Sequence, residues 1–235
     1  MTDPSLWRPA TALCAQIALL ALLGVMVGLS PWGWVAATVY APAVTALLLV
    51  AIRHHGRRTL GPADLVTLAR VALIGTATAL VADGAHTATL VAVVAPALVL
   101  DWVDGLVARG TRTCSDFGAR FDMEADAFLI LVLSVQVALR LGPWVLVIGV
   151  MRYLFALASW LAPWLDRPLP PSTARKTVAA AQGVVLLVAA SELLPETVTT
   201  ATVTGALAAL VWSFGRDVVG LWRTRPAPTG VTERS

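Results

Sequence analysis

Long apolar runs broken by short polar segments dominate the chain. Eight of them approach the length of about 20 residues that a membrane-spanning helix needs, at roughly 11–29, 33–52, 63–82, 87–109, 119–140, 143–164, 175–194 and 198–215. The run from Leu90 to Leu100 carries no polar side chain, whereas the helices of soluble proteins set a polar face against an apolar one. The pattern therefore predicts an all-α, polytopic membrane protein in preference to a soluble helical one. The break at Ser30-Pro31-Trp32-Gly33-Trp34 is tight and uncharged, and its tryptophans suit a membrane interface. The next, Arg53-His54-His55-Gly56-Arg57-Arg58, is strongly basic. Its two histidines are neighbours about 100° apart on a helix, so they form no metal pair on one face. A solvated basic cluster near lipid head groups is the simpler reading.

Composition agrees with the pattern: 58% of residues are hydrophobic and 13% charged, against about a quarter charged in soluble domains. Net charge is only +3, carried by sixteen arginines and one lysine, and its placement matters more than its sum. The basic clusters at 53–58, 109–120, 167–176 and 216–225 fall after alternate spans, with Asp83, Glu192 and Glu196 in the intervening links. By the rule that cytoplasmic loops hold the basic excess, this predicts eight spans with both termini cytoplasmic, in a cell membrane. The first apolar run follows a weakly basic start and has no convincing cleavage site, so it reads as a retained span. Cys14 and Cys114 fit no metal or redox spacing, no internal repeat stands out, and nothing indicates a nucleic-acid partner.

Against this apolar background four carboxylates occur within one short stretch: Asp101, Asp104, Asp122 and Asp126. Acids in or beside a bilayer are costly, which makes them a functional hypothesis by default. On a helix, Asp101, Asp104, Gly105 and Ala108 share one face at about 100° per residue, and so do Gly118, Asp122 and Asp126. Two helices joined by a short turn would thus present four carboxylates and three small residues to each other. Oxygen ligands of this kind suit hard divalent cations, Mg²⁺ or Mn²⁺, and two such ions would neutralise all four acids. The small residues allow close approach of a ligand or of partner backbone, and Arg109 can offer a planar guanidinium to phosphate. Asp116, in the turn, reads instead as a helix cap. Glu124 lies about 200° from Asp122, off the acid face, which suits a pairing role.

The spacing D-x-x-D-G-x-x-A-R, eight residues, then G-x-x-x-D-x-x-x-D, met here by Asp101, Asp104, Gly105, Ala108, Arg109, Gly118, Asp122 and Asp126, resembles the signature of the CDP-alcohol phosphotransferase family. The resemblance implies a six-helix catalytic core over about 61–218, which leaves the first two spans and the basic linker (1–60) as an extension outside it, and the Pro/Thr/Gly-rich composition of the C-terminal end predicts a disordered tail (219–235). The resemblance also implies transfer of a phosphatidyl group from CDP-diacylglycerol to an alcohol, with release of CMP. Asp101, Asp104 and Asp122 would ligate two Mg²⁺ or Mn²⁺ ions together with Asp126, which would also act as general base. Asp104, Gly105, Ala108, Arg109 and Gly118 would line the cytidine diphosphate pocket. The segment Pro62 to Arg70 is similar to one with which the family holds the nucleotide, which adds Asp64 and Thr67 to that pocket; Asp64 stands where asparagine is common.

The acceptor is less constrained. Arg112, Arg152, Arg175 and Lys176 are candidates for binding an anionic alcohol such as glycerol 3-phosphate or inositol phosphate. Arg175 and Lys176 serve equally well as basic anchors at the membrane face. Arg152 falls inside the sixth span and needs a partner there, either a motif carboxylate or an acceptor phosphate. Neutral or lipid acceptors stay open, as does a homodimer. A divalent-cation transporter is the competing class, but acids gathered at one membrane face beside Arg109 suit catalysis better than permeation.

Overall fold

The computed structural model of the chain is helical in every described element. It describes residues 17–55 apart from 19, 23, 26 and 27, then 62–84, 87–111, 116–165 and 172–223, with backbone only at 45, 47–55, 62–65, 67, 68, 102–111, 116–121 and 163. Helical residues between 17 and 25 precede the helices labelled here α1 (Pro31–His55), α2 (Pro62–Ala82), α3 (Thr87–Thr111), α4 (Asp116–Leu141), α5 (Leu146–Leu161), α6 (Thr173–Ala190) and α7 (Glu196–Arg223). Short 3₁₀ turns at Pro143–Val145 and Pro163–Leu165 flank α5.

The local chemistry explains most boundaries. Proline opens α1 and α2, where its missing N–H costs nothing. Ser172 caps α6 by accepting from the Arg175 backbone N–H at 3.4 Å. Gly142 separates α4 from the next turn with φ of 105°, a conformation that side chains with a Cβ avoid. The last helix is longer than expected. It runs through Asp217 to Arg223, past the anticipated span end at 215 and into the segment expected to be a disordered tail from 219. Val218, Val219, Leu221 and Trp222 keep it apolar, and no proline intervenes before Pro226.

Among the described residues, α4 is central: it packs on α2, α5 and α6, while α2 also packs on α1 and α3, and α6 on α3 and α7. The buried core is aliphatic and continuous across these elements, through Ile74, Leu80, Leu90, Val94, Leu129, Leu133, Leu186 and Val203. Three contacts set α1 antiparallel to α2. The Ser30 N–H donates to Asp83 Oδ1 at 2.5 Å, Gly33 lies so close that an added Cβ would sit 3.1 Å from the Ala79 carbonyl oxygen, and the Tyr40 hydroxyl donates to the Val71 carbonyl at 3.0 Å. The outside is apolar as well, with Trp32, Leu139, Trp160 and Leu193 exposed, more than a water-facing surface ordinarily carries.

Among the described residues, Pro143–Leu161 and Glu196–Arg223 are long and apolar enough to cross a membrane, and further apolar stretches run over Ala69–Ala82 in α2 and Thr87–Asp101 in α3. Ionisable residues gather toward the start of α2, at Asp64 and Arg70, and toward the end of α3, at Asp101, Asp104 and Arg109.

Candidate active site

The chemistry gathers where α2, α3 and α4 meet. Arg70, nine residues into α2, is fully buried, with 0% of its surface exposed. Its Nη1 lies 2.5 Å from Asp101 Oδ1 on α3. Its Nη2 lies 2.5 Å from Asp122 Oδ1 and 3.0 Å from Asp126 Oδ1, both on α4, and also donates to the Asp122 carbonyl at 3.1 Å. The planar fork of a guanidinium can serve several oxygens at once, as a point-charge ammonium cannot. One side chain thus ties three helices together.

The carboxylates face the other way. Asp101, Asp122 and Asp126 side chains remain 40%, 35% and 39% exposed, so Arg70 closes the back of the site and the acids form its open front. One oxygen from each of the three lies within 4.8 Å of the others. Around an octahedral Mg²⁺ with ligands at about 2.0–2.1 Å, neighbouring oxygens lie roughly 2.9 Å apart and opposite ones roughly 4.2 Å, so the three acids would draw closer together to share one ion. The charge also fits. Three carboxylates against one guanidinium leave two negative charges, which a single divalent cation cancels. Asp104 would add a third, leaving room for a second ion shared with a diphosphate.

Of the residues expected at the site, the structure brings Asp101, Asp122 and Asp126 together. Asp104, Gly105, Ala108 and Arg109 continue α3 beyond Asp101, and Gly118 precedes Asp122 on α4. Asp64 and Thr67 lie on α2, about 9 Å and 4.5 Å along the axis from Arg70 at 1.5 Å per residue. The side chains of these seven lie outside the described ones, as do those of His54, His55 and Asp116, while Arg112 lies outside the described residues altogether.

Two of the expected acceptor cations, Arg152 and Arg175, have protein partners. Arg152 on α5 pairs through Nη2 with Glu124 Oε1 on α4. This is neither of the two partners anticipated for it, and it gives Glu124 the pairing role its position suggested. Arg175 Nη1 lies 3.0 Å from Asp217 Oδ2, tying α6 to α7. Arg216 donates to Ser172 Oγ at 3.1 Å and lies over the Trp212 ring at 5.0 Å, and Lys176 is exposed beside them. Sequence reasoning missed Arg70 as a site residue. It ends the Pro62 to Arg70 segment and abuts the apolar run 71–82. The rule that flagged Arg152, that an arginine bordered by apolar span needs a partner, applies to Arg70 equally well.

Residues 60–214 match the family CDP-alcohol phosphatidyltransferase. That is well over half of the chain, and the chain belongs to this family. No curated protein and no solved structure matches the chain. The family is one of transferases that pass a phosphatidyl group from a CDP-alcohol to an acceptor and use a divalent metal. The match includes Arg70 and all four motif aspartates and leaves out α1.

Proposed function

We propose that the chain is an integral-membrane transferase that moves the phosphatidyl group of CDP-diacylglycerol to an alcohol acceptor and releases CMP, in phospholipid synthesis. One observation carries this reading: Asp101, Asp122 and Asp126 converge from two helices onto buried Arg70 and leave an open, doubly negative front. Asp101, Asp104, Asp122 and Asp126 would hold one or two Mg²⁺ or Mn²⁺ ions. When bound, such ions neutralise the diphosphate and stabilise the charge that builds on the leaving phosphate oxygen. The acceptor hydroxyl oxygen forms a bond to the phosphorus that bears the diacylglycerol. The bond from that phosphorus to the bridging oxygen breaks, and the electron pair leaves with CMP. Asp126 takes the hydroxyl proton, as a carboxylate within hydrogen-bond reach can. Gly105, Ala108, Arg109 and Gly118, with Asp64 and Thr67, would cradle the cytidine diphosphate.

In this reading the chain has eight spans, both termini and the site face the cytoplasm, and the catalytic core covers about 61–218. Soluble nucleotide then reaches the acids from water while the acyl chains stay in lipid. The preferred acceptor is a phospho-alcohol such as glycerol 3-phosphate or inositol phosphate, bound through Arg152 with help from Arg112, Arg175 and Lys176. At Arg152 the acceptor phosphate would take the place of Glu124, so binding is an exchange of one anion for another. Purified protein supplied with CDP-diacylglycerol and a panel of alcohols, followed by CMP release, tests the whole. Arg152→Ala should raise the apparent KM for the phospho-alcohol about tenfold, the loss of roughly 1.4 kcal/mol, while sparing the donor. Preference of the wild type for an uncharged alcohol would overturn the acceptor assignment and leave the transferase reading standing.

A further inference from the structure

A cavity of about 630 Å³ opens between α1, α2, α4 and α5. Its walls are mostly apolar, from Ala36, Val39 and Val44 on α1 to Val71 on α2 and Phe128 on α4, and Glu124, the partner of Arg152, borders it at one side. It starts beside the acids: Val71 follows Arg70, and lining residue Ala125 precedes Asp126. It then runs along α2 to Thr78, about 10 Å at 1.5 Å per residue. A second cavity of about 420 Å³ shares Thr78 and continues past Val81 to Gly84, between α2 and α4. End to end, Val71 to Gly84 is about 20 Å, somewhat more than the roughly 15 Å that one leaflet of hydrocarbon occupies. Tyr40 fixes the near wall, its hydroxyl on the Val71 carbonyl and its ring 5.5 Å from that of Phe128.

We propose that this groove seats one acyl chain of the lipid donor, and that α1, which lies outside the family match, is the wall that sets which chains fit. The inference rests on the donor being CDP-diacylglycerol. Bilayer lipid is as apolar as the groove, so the hydrophobic effect adds nothing on moving a tail from one to the other. What the groove supplies is shape: a tail that fills it gains packing, and one that collides with the wall is excluded. With the diphosphate held at the acids, the glycerol backbone comes down beside Val71 and Ala125, and its chain enters the space α1 encloses.

The antiparallel register places Ala43 near the level of Arg70 and Ala36 about two turns deeper. A tryptophan at Ala36 would shorten the groove below its mouth. CMP release should be measured with dioctanoyl and with dioleoyl CDP-diacylglycerol, for wild type, Ala36→Trp and the milder Val39→Phe. The long-to-short ratio of kcat/KM should fall about tenfold in Ala36→Trp, within the 1–3 kcal/mol that overpacking costs, and less in Val39→Phe. A second measurement uses the wild-type protein alone. A CDP-diacylglycerol with a photoactivatable group mid-chain should cross-link within Pro31–His55. An unchanged chain-length ratio with cross-links confined to α3 to α7 would mean a groove filled by bulk lipid only, and would sink the proposal with the transferase reading intact. No CMP release by wild type from either donor would overturn both.

Discussion

Arg70 decides the electrostatics of the site at the scale of single residues. Three carboxylates within 4.8 Å repel one another, and the buried guanidinium is the protein's own counterion to them. Replacing it by glutamine should lower thermal stability of the metal-free protein by about 2 kcal/mol. That is less than the 3–5 expected for a fully buried pair, because the acids stay more than a third exposed. A divalent cation supplies the missing charge, so added Mg²⁺ should raise the unfolding temperature of Arg70→Gln more than that of the wild type. A smaller rise would mean that Arg70 helps to hold the ion site together rather than substituting for its charge. The acids divide by role. Asp101→Asn and Asp122→Asn should weaken Mn²⁺ binding and abolish transfer together. Asp126→Asn should abolish transfer while nucleotide binding stays measurable, and near-normal turnover across pH in that variant would remove Asp126 as the base. The meeting of Asp101, Asp122 and Asp126 was legible in the sequence, because their spacing states which face of each helix carries acid. That Arg70 needs a partner was legible, but which partners it takes was not, because they come from helices 31 to 56 residues away in the chain, a distance no local pattern spans.

Elements were legible where apolar runs are long, and their ends less so. The expected and observed helices coincide to within a few residues from α1 to α4, since a run of twenty apolar residues leaves little choice. At the last helix the polar pair Arg216 and Asp217 looked like an end, but both are satisfied within the bundle, by Ser172 and Arg175, and the helix goes on. How closely two helices approach was not legible at all. At Gly149 on α5, an added Cβ would collide with the Ser134 hydroxyl and lie 2.7 Å from the Leu131 Cα on α4. Backbone cannot yield as a flexible side chain can, so Gly149→Ala should cost about 1–3 kcal/mol of stability. Because α4 carries Asp122 and Asp126, and α5 carries Arg152, the same variant should lose transfer activity beyond what its unfolding explains. Thermal unfolding in detergent alongside CMP release separates the two, and a Gly149→Ala variant as stable as wild type would refute the tight crossing.

For the molecule as a whole, the contacts sort the loops to two ends of the bundle. Ser30 meets Asp83 at 2.5 Å, and Thr87 donates to Glu192 at 3.4 Å, so three links that lack lysine and arginine lie together. Ser172, Arg175, Arg216 and Asp217 meet at another cluster, across α6 and α7, with the exposed Lys176 beside them. Among the described residues, these two clusters group the links in the same way as the charge pattern does. A chain that spans the membrane in this manner should expose the first cluster outside and the second to the cytoplasm. With Cys14 and Cys114 replaced by serine, Ser191→Cys should react in intact cells with a thiol reagent that cannot cross membranes, and Ser172→Cys should react only after the membrane is opened. Both variants must retain CMP release for the result to count. Labelling of Ser172→Cys from outside would put the basic end, and with it the end of α7 that Arg175 grips, on the wrong face, and the proposed access of cytoplasmic nucleotide to the acids would fail with it.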